Sequence, residues 1–197
     1  QRPIASGKIT VLNALVYVLL LCFAALIILL QFNWLTIVLG LSSMFLAFSY
    51  PFMKRITYWP QLFLGLTFSW GIIMGWASIA NSISIEPIIL YLSAIFWTLG
   101  YDTVYGLQDI RDDEIIGVKS TSIKFKNNVK IFVGTCYSLC VFLIIIMFFV
   151  MEINKYLLLL IIPFIFSFVY QVKIFQTSNS KSCLVAFKNN NLTGLLI

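Results

Sequence analysis

Residues Val11 to Leu30 run for twenty positions without a charged side chain. About twenty apolar residues are what an α-helix needs to cross the ~30 Å hydrocarbon core of a bilayer. Lipid offers the backbone no hydrogen-bond partners, so a spanning segment must satisfy its own and becomes a helix. The pattern recurs at Trp34–Met53, Gln61–Ala80, Pro87–Leu99 (running on into Tyr101 and Asp102), Val129–Val150 and Tyr156–Val172. A membrane β-barrel needs apolar and polar residues to alternate in strands of ~10 residues, and no stretch does so. The chain is 61% hydrophobic and 10% charged, against roughly 25% charged in soluble domains, so a soluble core is excluded as well. The expected fold is all-α, a polytopic transmembrane helical bundle with six full spans, and residues 1–197 form a single membrane domain. Gly194–Ile197 reads as the start of a further span. Gln1-Arg2-Pro3 has neither an initiator Met nor a signal-peptide pattern, so both ends read as cuts in a longer chain.

The connections set the orientation. Twelve of the thirteen Lys and Arg fall in alternate connections: Arg2, Lys8; Lys54, Arg55; Arg111, Lys119, Lys124, Lys126, Lys130; Lys173, Lys181, Lys188. Lys155 alone lies on the other side. Basic loops mark the cytoplasmic face, and one miscounted helix would destroy the agreement. The net charge of +6 is thereby accounted for without nucleic acid, and nothing implies a protein partner. Pro60 suits the first turn of the third span. Gly71 and Gly75 form a G-x-x-x-G pair suited to close helix packing. Histidine is absent, which removes His-based zinc, haem and triad chemistry. Cys22, Cys136, Cys140 and Cys183 lie in or beside apolar runs, as small packing residues do, with no metal-knuckle or disulfide spacing.

The chemistry concentrates in one place. Of seven acidic residues, five lie between Tyr101 and Glu114. If the fourth helix continues, at 100° per residue, Asp102, Tyr105, Asp109 and Asp113 fall within an arc of about 80°, with Asp112 beside them. Carboxylates so crowded repel one another, and Arg111 alone is too little counter-charge. A divalent metal is the natural answer. Oxygen-only ligands favour Mg²⁺ over zinc or copper, and Mg²⁺ characteristically bridges one or two carboxylates to substrate phosphates. An EF-hand loop is excluded by its missing spacing. Asp102 is the most informative residue, because an ionisable group inside an apolar span costs a few kcal/mol and usually serves a function. Structural alternatives stay open: a solvated loop for Asp112–Glu114, and a Lys or Arg from another span as partner for Asp102.

The segment Tyr101–Lys124, YDTVYGLQDIRDDEIIGVKSTSIK, resembles the second aspartate-rich motif of the UbiA-type intramembrane prenyltransferases, and more narrowly that of their 4-hydroxybenzoate polyprenyltransferase branch. Three further stretches agree in family order: Arg2–Gly7 (RPIASG), Tyr50–Gln61 (YPFMKRITYWPQ) and Ala186–Gly194 (AFKNNNLTG). The resemblance implies nine membrane helices with two aspartate motifs facing each other across a cytoplasmic-side cavity. This chain would hold the third to eighth helices and the start of the ninth, without the first motif, and would be inactive alone.

The implied reaction moves a polyprenyl group from polyprenyl diphosphate to a small aromatic acid, 4-hydroxybenzoate, in ubiquinone synthesis. It would run in a bacterial inner membrane or the mitochondrial inner membrane, with the acidic site on the cytoplasmic or matrix side. Asp109, Asp112 and Asp113 would coordinate Mg²⁺, Lys119 would reach the diphosphate, and Arg55 would hold the aromatic carboxylate. Asp102 and Tyr105 would act on the ring, Asp102 as proton acceptor. On spacing alone, Lys54, Arg55 and Lys119 serve equally well as topology anchors. Alternatives are a protohaem IX farnesyltransferase or another quinone-pathway prenyltransferase, and, in a different class, a transporter using Asp102 as an ion site. A CDP-alcohol phosphotransferase is disfavoured because its D-G-x-x-A-R core is absent.

Overall fold

Helices follow one another through the computed structural model, which describes residues 3–196. They are α1 (Val11–Leu29), α2 (Trp34–Ile56), α3 (Pro60–Phe68), α4 (Trp70–Ala80), α5 (Ile85–Gly106), α6 (Ile110–Ile116), α7 (Thr121–Lys124) and α8 (Val129–Val150). A 3₁₀ turn, Lys155–Leu160, then leads into α9 (Ile161–Ile174), α10 (Ser180–Lys188) and α11 (Asn190–Thr193). No β-strand occurs among the described residues. Six segments are long and apolar enough to span: α1, α2, Pro60–Ala80, α5, α8 and Tyr156–Ile174. These are the six spans expected from hydropathy. Arg2 and Ile197 lie outside the described residues, and with them part of the first basic connection and the end of the expected further span.

Local signals set the helix ends. Thr10 accepts the Asn13 N–H at 3.2 Å and starts α1. Asn33 accepts the Thr36 N–H at 2.9 Å to start α2, while its side-chain N–H donates to the Ala77 carbonyl at 2.8 Å near the end of α4. One side chain thus caps the start of α2 and ties it to the last turn of α4.

The packing centres on α5, whose buried residues include Ile95, Leu99 and Val104. Gly100 lets α8 approach, because a Cβ there would collide with the Tyr137 ring. Tyr137 stacks on Phe168 of α9 with ring centres 4.1 Å apart, and Trp97 meets Phe164 edge-on at 5.5 Å. Cys136 and Cys140 are buried free thiols, as expected of packing residues. By contrast, α1 buries none of its residues. Most of its Leu and Ile side chains are exposed, while Leu29 packs on Gly40 of α2.

The third span holds as one apolar segment, Pro60–Ala80, interrupted for one residue at Ser69, next to which the Tyr91 hydroxyl donates to the Leu66 carbonyl at 2.9 Å and takes up a backbone acceptor in the last turn of α3. Two expectations need correction. The Gly71/Gly75 pair is not a packing seam, since a Cβ at either position would meet nothing within 4 Å. Close approach falls instead at Gly65, where a Cβ would lie 3.2 Å from Ile95 atoms. Finally, the polar stretch Lys173–Asn191 is more than a connection, because it folds into α10 and enters α11.

Candidate functional site

The fourth span stops at Gly106 and does not carry the acidic stripe onward. The reason is tertiary. The Ser122 hydroxyl donates to the Thr103 carbonyl at 2.7 Å, capping an acceptor in the last turn of α5. A Cβ on Gly106 would stand 2.5 Å from the Ser122 oxygen, so only glycine admits this contact. Asp102 and Tyr105 therefore belong to α5, whereas Asp109, Asp112 and Asp113 belong to α6. The single 80° face expected from an unbroken helix does not form.

Within α6 the acidic residues are ordered nonetheless. Asp109 is the N-cap residue, and Asp112 and Asp113 lie in the first turn, where negative charge complements the helix dipole. The i, i+3, i+4 spacing keeps the three near one another. The helix closes at Gly117, whose φ of +76° is left-handed, and the Val118 N–H donates to the Asp113 carbonyl at 3.1 Å. That C-terminal motif favours glycine because other residues are strained there.

The following segment is stitched to three spans. The Lys119 N–H donates to the Lys54 carbonyl at 2.7 Å. Its ammonium donates to the Ile56 carbonyl at 3.2 Å and lies 5.5 Å from the centre of the Tyr58 ring. The Thr121 N–H donates to the Gln61 side-chain oxygen at 3.0 Å, and the Thr121 and Thr103 hydroxyls share a hydrogen bond at 2.6 Å. Gln61 is 3% exposed, and Thr103, Thr121 and Ser122 are fully buried. Lys119 is thus brought to the end of α2, beside the segment that carries Lys54 and Arg55. Arg55 is exposed.

Asp102 is partly buried. Lys54 is the cation whose charge reaches it, and the Tyr50 phenol feels the Asp102 charge from α2. The two do not form a contact ion pair: the one salt bridge among the described residues joins Lys126 to Glu114 at 2.7 Å. Tyr105 leans on Phe187 of α10 with ring centres 4.7 Å apart. Tyr101, one turn earlier, lines a cavity of about 540 Å³ with Phe68, Trp97, Thr98, Phe187 and Asn190. Trp97 is fixed in that wall by donating to the Asn190 oxygen at 2.9 Å. A second cavity, about 280 Å³, contains Asp109 and Asp112 with Gln108, Arg111 and the Thr177–Ser180 turn. Asp113 does not line it.

Among the described residues, no three carboxylates or other ligating side chains converge closely enough to hold a metal unaided. The donor set is nevertheless all oxygen, with two carboxylates opening onto one cavity. That fits a Mg²⁺ ion completed by water and phosphate oxygens, and it does not fit a closed protein cage. Sequence reasoning passed over Tyr50, Lys54, Gln61 and the Thr103–Thr121–Ser122 network. A glutamine one residue into an apolar span was the available signal, since a buried amide needs a partner.

The geometry defines a class: a polytopic helical membrane protein with one cavity lined by Asp109, Asp112 and Arg111 and a separate aromatic-walled cavity reached by Tyr101. The model of the UbiA prenyltransferase family matches residues 1–193, and the chain belongs to that family. It is 37% identical over its whole length to 69% of a 4-hydroxybenzoate octaprenyltransferase of Vibrio vulnificus. It is 46% identical, over 68% of its length, to a mitochondrial 4-hydroxybenzoate polyprenyltransferase of Drosophila melanogaster. That match spans only 34% of the fly protein. The apo structure of a UbiA homolog from Aeropyrum pernix superposes with a TM-score of 0.80, covering 100% of this chain and 74% of the other at 19% identity, a likeness of fold.

Proposed function

We propose that this chain supplies the second aspartate-rich wall of an aromatic prenyltransferase site. The site transfers a polyprenyl group from polyprenyl diphosphate to 4-hydroxybenzoate in ubiquinone synthesis. The observation that supports the reading is the hydrogen bond from the Lys119 N–H to the Lys54 carbonyl, which ties the loop after the acidic helix to the end of α2 that carries Lys54, the cation whose charge reaches Asp102. A substrate that satisfies both charges is an anion whose phosphates also bind a metal. The names of the fly and Vibrio relatives supply the acceptor. They also favour it over protohaem IX, and family membership leaves the transporter alternative without support.

Asp109 and Asp112, with Asp113 behind them on α6, would hold Mg²⁺. The bound ion would act as a Lewis acid toward charge developing on the departing diphosphate. Lys119 and Lys54 bind the same oxygens and add fixed positive potential in a water-poor site. The allylic C–O bond breaks with its electron pair on the diphosphate. A ring carbon of the acceptor then bonds to the allylic carbon, and the ring proton passes to Asp102. Tyr105 and Tyr101 hold the ring and the first isoprene unit against the aromatic wall. Arg55 pairs with the acceptor carboxylate, which a guanidinium can grip with two parallel hydrogen bonds. The membrane is the mitochondrial or bacterial inner membrane, with the site facing the matrix or cytoplasm.

The test uses membranes carrying the full gene product. Asp109→Asn is expected to abolish prenylated product while the protein still inserts; near-normal product by mass spectrometry would overturn the ligand assignment. Arg55→Ala is expected to raise KM for the aromatic acid far more than for the diphosphate. Product formed from protohaem IX and farnesyl diphosphate, with none from 4-hydroxybenzoate, would transfer the reading to that branch.

A further inference from the structure

Between α8 and α9 lies an open groove of about 500 Å³ that shares no lining residue with either cavity described above. Gly134, Val141 and Ile145 form one wall, and Ile165, Val169 and Lys173 the other. A Cβ on Gly134 would meet nothing within 4 Å, so the groove is open where it begins. From Gly134 to Ile145 it runs roughly 16 Å at 1.5 Å per residue, about the depth of one leaflet of a ~30 Å hydrocarbon core. Both helices place a lysine at the same end. Lys173 lines the groove itself. Lys130 lies one turn before Gly134 on the same face of α8, with its ammonium 5.4 Å from the centre of the Phe175 ring just beyond α9. No carboxylate lines the groove. That end belongs to the basic connections.

We propose that this groove is a binding site for an anionic phospholipid of the cytoplasmic or matrix leaflet. One acyl chain lies along Gly134–Ile145, and the phosphate sits between Lys130 and Lys173. Length and charge both select this occupant. The groove is one leaflet deep, as an acyl chain requires, and its apolar floor ends under two cations. Basic pockets between membrane helices on this side of the bilayer suit anionic headgroups. A zwitterionic lipid would gain the floor but not the full charge interaction. The proposal concerns a groove that shares no lining residue with the two cavities of the candidate site and does not depend on the catalytic assignments.

The test is native mass spectrometry of the full gene product in nanodiscs of equal parts phosphatidylglycerol and phosphatidylcholine. One phosphatidylglycerol is expected to stay bound preferentially. The Lys130→Gln/Lys173→Gln double variant should reduce that preference by about thirtyfold, and Gly134→Leu should remove bound lipid of both kinds by filling the groove. Circular dichroism confirms that each variant remains folded. Equal retention of the two lipids by the parent protein would overturn the proposal, as would unchanged phosphatidylglycerol retention in the double variant. Displacement of the lipid from the parent protein by an equimolar polyprenyl phosphate that stays bound in its place would overturn it too, by making the groove a prenyl-chain site.

Discussion

The side-chain oxygen of Gln61 accepts the backbone N–H of Thr121 at 3.0 Å, across sixty residues of sequence. Through this bond the start of the third span holds the loop that follows the acidic helix. Both residues are buried, so neither can exchange its partner for water. Gln61→Leu leaves the Thr121 N–H unsatisfied and should destabilise the fold by about 1–3 kcal/mol. Hydrogen exchange read by mass spectrometry is the check: residues 117–125 should exchange faster while α8 is unchanged. Uniform acceleration through all helices would instead indicate global loosening.

Gly106 and Ser122 test why α5 ends where it does. Gly106→Ala would force a methyl into the Ser122 hydroxyl, and overpacking of this kind costs about 1–3 kcal/mol. Ser122→Gly should relieve the clash while losing the bond to the Thr103 carbonyl. The double variant is therefore expected to be more stable than the sum of the single effects predicts, as coupled neighbours are. Thermal melting in detergent measures the cycle.

A buried polar chain ties α8 to the C-terminal helices. The Tyr137 hydroxyl donates to the Gln171 oxygen at 2.9 Å, and the Gln171 amide donates to the Thr193 hydroxyl at 2.8 Å. Tyr137→Phe removes one donor and should cost about 1–2 kcal/mol. Gln171→Leu strands two partners and should cost more. Equal melting temperatures for the two variants would count against a connected network.

Metal removal separates the acidic helix from the cations. Chelation of divalent ions should abolish product formation, and Mg²⁺ should restore it. Asp112→Asn should raise the Mg²⁺ concentration needed for half-maximal rate, because a lost carboxylate weakens binding of a hard cation. Lys119→Gln should instead raise KM for the diphosphate at saturating Mg²⁺. A shared phenotype would merge the two roles.

Cys183, outside the spans, offers a pH test. It is fully buried, and burial pushes its thiol above the ordinary cysteine range. A group whose neutral form the fold favours loses stability where the unfolded chain would ionise, so the penalty appears as pH rises through about 8.5. Below that, both states are neutral and no pH effect follows. Cys183→Ser should flatten the alkaline arm of the stability profile, and maleimide labelling of Cys183 should remain slow until the protein unfolds.

The six spans and their order were legible in the chain itself. A helix in lipid closes its own backbone hydrogen bonds, so its existence needs only length and apolarity. The concentration of acid between Asp102 and Glu114 was equally plain. What tertiary structure decided was the arrangement of that acid. Gly106 ends α5 because Ser122 returns to cap Thr103, and Gln61 pins the returning loop at Thr121, so Asp102 and Asp109 sit on separate helices. Those bonds link residues 19 and 60 positions apart, beyond any local periodicity. The break at Ser69 and the open faces of Gly71 and Gly75 share that cause: a helix period says which residues share a face, and only packing says what covers it.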